Sequence, residues 1–365
     1  MSVDDGDEWP AGMRLDRPLH AVAASLEVRD VWRRQVAMQG GELEFLVSGL
    51  TRWPPGSTLR VAFLDGEAEL HAAVEQATWQ ITDAANIKLD FGYDAAMGKY
   101  RQWHEADTNY TADIRVSFDC DGYWSLVGTD SRDRTVGAPG EPDGGRPGQR
   151  SLNLGGFKRC RPTDWEGIVR HEFLHALGFH HEHQNLRGPC QDLLRWADDP
   201  GYLPTRDANG VLGPDYAGRW PGVYTYLAGA PNYWSKGEVD ENLRSLNPSG
   251  LIIGEFDRTS IMLYRFESFL YKVMPNDCVP VGDGIDLSAS DRDGLQLLYP
   301  YGKDEASEFR SRAQRALGRL DVGEESNFGA SSISDSPYLS SVIDILKTFI
   351  RRRLNVRGSN LLCLP

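Results

Sequence analysis

The sequence predicts an α+β fold in which helices lie across a sheet. Three observations carry this reading. Apolar residues recur with period two near 58–64, 87–91 and 114–118. A helical stripe falls between the first two of these stretches, and a strongly patterned helix opens at Thr163. From Gln184 to Gly254 the chain is irregular and dense in Pro, Gly, Trp and Tyr, which sets a loop-rich region beside the regular one.

Residues 1–50 are polar and mixed, with helical character from Val22 to Met38. After Trp53-Pro-Pro-Gly56, Leu59, Val61 and Phe63 alternate with Arg60 and Ala62, the pattern of a half-buried strand. Asp65-Gly66 turns the chain, and Leu70, Val74, Ala77 and Ile81 then recur as one helix. Ile87/Leu89/Phe91 and Ile114/Val116/Phe118 read as further strands, Ser131 to Arg150 as a surface loop, and Leu152 to Leu154 as a short strand. Thr163-Asp-Trp-Glu166 has the form of a capping box, with a hydroxyl at the N-cap and a carboxylate three residues on. That helix should stop at Gly178, where a residue without a Cβ takes positive φ cheaply. Two more capped helices start at Ser235 and Ser288, the second ending at Pro300. The expected organisation is an extension at 1–50, a domain at 51–301, and a polar linker with an amphipathic helix at 302–365. The last helix carries Leu339, Val342, Ile343, Leu346, Phe349 and Ile350 on one face and ends in Arg351 to Arg353, which suits its dipole. It is expected to pack back on the domain; the alternative is contact with a membrane surface or a partner through 338–354.

Composition narrows the function. Across 365 residues, 39 basic and 53 acidic side chains leave a net charge of −14, which argues against general affinity for nucleic acid. No run approaches the ~18 apolar residues of a membrane span. The first residues, Met1 to Glu8, are acidic where a secretory leader is basic, so no export signal is read there and the compartment stays open. The five cysteines include no CxxC pair. Cys120, Cys160, Cys190 and Cys278 allow three pairings, with Cys363 left over.

Five of the eight histidines fall within His171-Glu-Phe-Leu-His175-Ala-Leu-Gly178-Phe-His-His181-Glu182-His183. Residues four apart share a helix face, so His171 and His175 offer two imidazoles to one ion. Glu172 stands beside them as a general base, within reach of a water and not itself a ligand. Gly178 reverses the chain and returns His181 as the third ligand. Three neutral imidazoles with a fourth position open mark a catalytic zinc site, not a closed structural one. A histidine-rich surface helix would not require Glu172 and Gly178 at those positions. His180 is one residue out of register, His183 is read as a supporting histidine, and His20, His71 and His104 receive no role.

The segment His171 to Glu182 resembles the signature of the metzincin metalloproteases, and Glu182 directly after the third histidine resembles the astacin branch. Thr259-Ser-Ile-Met262-Leu-Tyr264 is similar to the Met-turn of that family. Trp53 to Gly56, Ala112 to Phe118, Trp124 to Gly128 and Leu287 to Tyr299 resemble further landmarks, so the likeness spans about residues 50–301. It implies a two-lobed α+β metzincin domain: a twisted sheet and active-site helix in the N-terminal lobe, an irregular C-terminal lobe. The implied activity is zinc-dependent hydrolysis of protein or peptide substrates, with one zinc on His171, His175 and His181. Glu172 is then the base, Tyr264 a residue near the reacting carbonyl, Met262 the floor and Glu182 a structural neighbour. An extended peptide is expected to dock on Leu152 to Leu154 as an edge strand. The resemblance further implies a secreted precursor, Asp7 as a candidate inhibitory aspartate, and a Cys120–Cys160 pair. Two alternatives remain: a metallopeptidase clan with a distant glutamate as third ligand, and a zinc-containing binding module without turnover.

Overall fold

The computed structural model describes residue 16 and residues 19–37, 52–119, 122–245, 254–302 and 337–356, with short helical pieces between 307 and 315. Ahead of the sheet lies α1 (His20–Ala37). The sheet and its helices follow as β1 (Thr58–Phe63), α2 (Ala68–Ala77), α3 (Trp79–Ala84), β2 (Lys88–Asp90), β3 (Ile114–Ser117), β4 (Tyr123–Ser125) and β5 (Leu152–Leu154). Next come α4 (Trp165–Ala176), α5 (Cys190–Leu193), the small ribbon β6 (Thr205–Arg206) and β7 (Leu212–Gly213), α6 (Val223–Leu227) and α7 (Lys236–Leu243). The chain ends in α8 (Ala289–Leu298) and α9 (Pro337–Val356). The fold is α+β, as expected.

These elements divide into two units, one drawn from 19–179 and 285–365, the other from 1–18 and 180–284. The first unit holds a five-stranded sheet of order β2-β1-β3-β5-β4. Its first four strands run parallel, with Leu59 opposite Leu89, Val61 opposite Ile114, and Val116 opposite Leu152. Parallel strands are covered on both faces, and Leu59, Val61, Ala62 and Phe63 are accordingly all buried. Two side chains pin the end of α4 to this unit: Trp53 Nε1 donates to Ala176 O at 2.7 Å and Tyr299 Oη to Leu177 O at 2.5 Å.

Three expectations are corrected. The helix read over 70–81 is two helices, broken at Thr78, whose hydroxyl bonds back to Glu75 O at 2.8 Å. The capping box at Thr163 is not formed. A turn closed by Trp165 N–H to Pro162 O occupies that stretch, and Asp164 becomes the N-cap of α4. The strand Leu152–Leu154 is interior, because β4 pairs with it antiparallel, Trp124 opposite Asn153, and takes the edge. By contrast, the boxes at Ser235 and Ser288 form in full, with Glu238 and Asp291 as reciprocal partners.

The second unit is loop-rich, with a core that includes Leu194, Val223, Leu227, Val239 and Leu270. Cys190 and Cys278 join within that core as a disulfide, and Cys160 is an exposed thiol. The Cys120–Cys160 expectation involves a residue outside those described, as does Cys363. A bridge across 88 positions removes loop-closure entropy worth about 4.6 kcal/mol from the unfolded chain. Cys278→Ser should therefore lower the thermal midpoint by several degrees, read by calorimetry. An unchanged midpoint would show that the core alone holds this unit.

Candidate active site

In the first unit, α4 presents the two halves of the histidine pair. His171 Nε2 and His175 Nε2 stand 3.2 Å apart, with the rings nearly perpendicular. His175 Nδ1 lies 2.8 Å from Phe179 O. A carbonyl only accepts, so Nδ1 carries the proton and a neutral His175 turns a lone pair outward at Nε2. In a tetrahedral zinc site with Zn–N bonds of about 2.0–2.1 Å, two ligand nitrogens are about 3.3 Å apart. The observed pair matches that edge, so these two nitrogens fit zinc. Glu172 projects from the same turn and is buried, at 1% exposure.

The helix ends as the sequence predicts. Gly178 has φ +97°, its N–H reaches His175 O at 2.8 Å, and Phe179 N–H reaches Leu174 O at 3.0 Å. This doubly bonded reversal is a Schellman motif, and it is what brings Phe179 O under the His175 ring.

In the second unit, His181, His183 and Tyr264 form a ring cluster. The Tyr264 ring lies 4.2 Å from His181 and 4.7 Å from His183, and the two imidazoles stack at 5.1 Å. His183 Nε2 faces Asn242 O at 2.9 Å. Met262 sits in the turn preceding Tyr264 and is 1% exposed. Glu182 ties this turn to the histidine segment. Its N–H donates to Met262 O at 2.8 Å, while its Oε1 accepts from Asp257 N–H at 2.9 Å and Asn185 Nδ2 at 3.0 Å. Main chain and side chain of Glu182 thus both bond to the segment around Met262, and Tyr264, two residues after that methionine, lies over His181, as the resemblance implies.

Comparison with known proteins gives further likenesses. No family model and no curated protein matches the chain. Two solved structures of myroilysin are 28% and 26% identical to it, with TM-scores of 0.45 and 0.39. Each covers 69% of this chain, and the matches span 97% and 87% of the myroilysin chains. High choriolytic enzyme 1, a hatching enzyme zinc-protease from Oryzias latipes, is 18% identical at a TM-score of 0.36, covering 66% of this chain and 88% of its own.

One contact at these residues escaped the sequence. Asp16 Oδ2 stands 2.8 Å from His181 Nε2, and the Asp16 N–H donates to Tyr264 Oη at 2.9 Å. Asp7, the residue expected for such a contact, lies outside the described residues. The remaining histidines are accounted for where described: His180 is half-buried, and His104 is exposed. His71 stacks on Phe63 at 3.9 Å and meets Asp65 O at 2.7 Å, and burial lowers its pKa.

Proposed function

We propose that the chain is a zinc-dependent endopeptidase, with His171, His175 and His181 as ligands and Glu172 as general base. The observation that carries the reading is the His171–His175 nitrogen pair, spaced as a tetrahedral edge with the His175 proton held on Nδ1. The signature extends it: Gly178 reverses the chain six residues before Gln184, and His181 follows that reversal. When bound, zinc supplies Lewis-acid chemistry, polarising the scissile carbonyl and acidifying water.

The chain's own residues supply the rest. Glu172 accepts a proton from the attacking water and passes it to the leaving amine, a transfer its buried position shields from bulk solvent. Tyr264 donates its hydroxyl proton as a hydrogen bond to the charge that develops on the carbonyl oxygen. Met262 floors the histidine cluster, and Glu182 holds the methionine turn in place. The sheet edge that receives an extended peptide is reassigned from Leu152–Leu154 to β4, Tyr123–Ser125, the last strand of the sheet among the described residues.

Asp16 against His181 and Tyr264 supports a second feature of the same reading: a latent form in which the N-terminal segment occupies two site residues. The buried Cys190–Cys278 bridge supports an oxidising compartment, hence export. Among the described residues no helix is long and apolar enough to cross a membrane. Metal analysis joined to casein hydrolysis tests the whole. One zinc per chain is expected, with chelator-sensitive cleavage that is faster in Asp16→Ala. A stable, metal-free protein would overturn the protease reading, and metal without cleavage in either form would favour a binding module.

A further inference from the structure

The apolar stripe of α1 ends in a buried charge. Leu19, Val22 and Leu26 follow helical spacing and pack on Trp124, Leu126 and Val136. The next position on that stripe is Arg29, only 4% exposed. Its guanidinium donates to both oxygens of Asp130, at 2.5 and 3.2 Å, and to Asp133 Oδ2 at 3.4 Å. One turn earlier, Ser25 Oγ accepts Gly137 N–H at 2.8 Å.

The other oxygen of Asp133 is taken from the opposite end of the chain. Oδ1 accepts the hydroxyl of Ser341, on α9, at 2.7 Å, together with Thr135 N–H and Thr135 Oγ1 at 2.9 and 2.6 Å. Ser341 does not stand alone: Val342 and Ile345 beside it are 3% and 5% exposed. Burial opposes the charge on Asp133, but Arg29 and these hydrogen bonds outweigh it and hold the carboxyl below its ordinary pKa. One buried carboxylate therefore serves two terminal helices. Removing either partner would leave the other facing a charge with less compensation, which buried ion pairs tolerate poorly.

We propose that α9 is a clasp that holds α1 on the 124–137 segment through Asp133, so that the C-terminal helix governs release of the N-terminal one. Asp16 lies four positions ahead of His20, so a docked α1 also limits how far Asp16 can travel. That bearing on activity rests on the latent form described above; the clasp itself does not.

The test is amide hydrogen exchange on the full chain, carrying Glu172→Gln so that it does not digest itself. Ser341→Ala should speed exchange across 22–36 about tenfold, since hydrogen bonds to charged groups are the stronger ones. Val342→Asp, which opposes the seating of α9, should do more, while β1 keeps its protection. The effect should be reciprocal, with Arg29→Gln speeding exchange in 338–356. Unchanged α1 exchange in Ser341→Ala and Val342→Asp overturns the clasp. If Val342→Asp also strips protection from β1, the unit has opened globally, and Ser341→Ala with Arg29→Gln then decide. Hydrolysis by the Glu172-containing proteins judges the latent form separately: faster α1 exchange with unchanged hydrolysis would sink latency and leave the clasp supported.

Discussion

Glu172→Ala should keep its zinc and lose peptide hydrolysis by about 10²–10⁴-fold, the range for a positioned general base. His175→Ala should instead lose the metal. The two outcomes separate because the side chains do different work. His175 offers a nitrogen lone pair whose direction is fixed by the Nδ1 contact with Phe179 O, and its removal leaves one imidazole on α4. In the proposed mechanism Glu172 moves a proton and binds no ion, so its loss should leave the donor set intact. Metal analysis and casein hydrolysis on both variants, in an Asp16→Ala parent, give the answer. Near-parent cleavage by Glu172→Ala would remove Glu172 from the base role, whatever the metal content.

The second large effect is expected at Tyr264. The residue is 6% exposed, its ring packs on two histidines and its hydroxyl accepts the Asp16 N–H at 2.9 Å, so a purely structural role would rest on the ring and on that one main-chain bond. The proposed mechanism gives the hydroxyl a separate task, donating to charge that develops only as the carbonyl is attacked. Interactions made in the transition state and not before raise kcat without tightening KM. Tyr264→Phe keeps the ring and removes the hydroxyl. The expected result is retained zinc, a similar melting temperature, a similar KM, and kcat lower by about 10²–10³, or ~2.7–4 kcal/mol. An unchanged kcat would reduce Tyr264 to packing.

What the sequence made legible is what is written locally. The reversal at Gly178, the boxes at Ser235 and Ser288, and the pair His171/His175 each depend on residues within a few positions of one another, so spacing alone reveals them. The capping box at Thr163 failed for an equally local reason: the turn closed on Pro162 competes for the same residues. What stayed hidden is long-range or short. β4 has three residues, too few for period two to register, and its antiparallel pairing with β5 sets the sheet edge. Asp16 is an isolated acid whose partners, His181 and Tyr264, lie 165 and 248 positions away. Arg29 was legible as part of a helix but not as a buried ion, since only the fold brings Asp130 and Asp133 to it.

The contact between His175 Nδ1 and Phe179 O has a genetic consequence. In many metal sites the partner that orients a ligand histidine is a side chain, so it can be lost by a single codon change. Here the partner is a main-chain carbonyl, present whatever residue stands at 179. No substitution of Phe179 deletes the acceptor. The vulnerable codon is the one before it, because Gly178 at φ +97° sets where that carbonyl points, and any other side chain there strains the reversal. The placement of the proton on His175 is thus inherited through a glycine that bears no ionisable group.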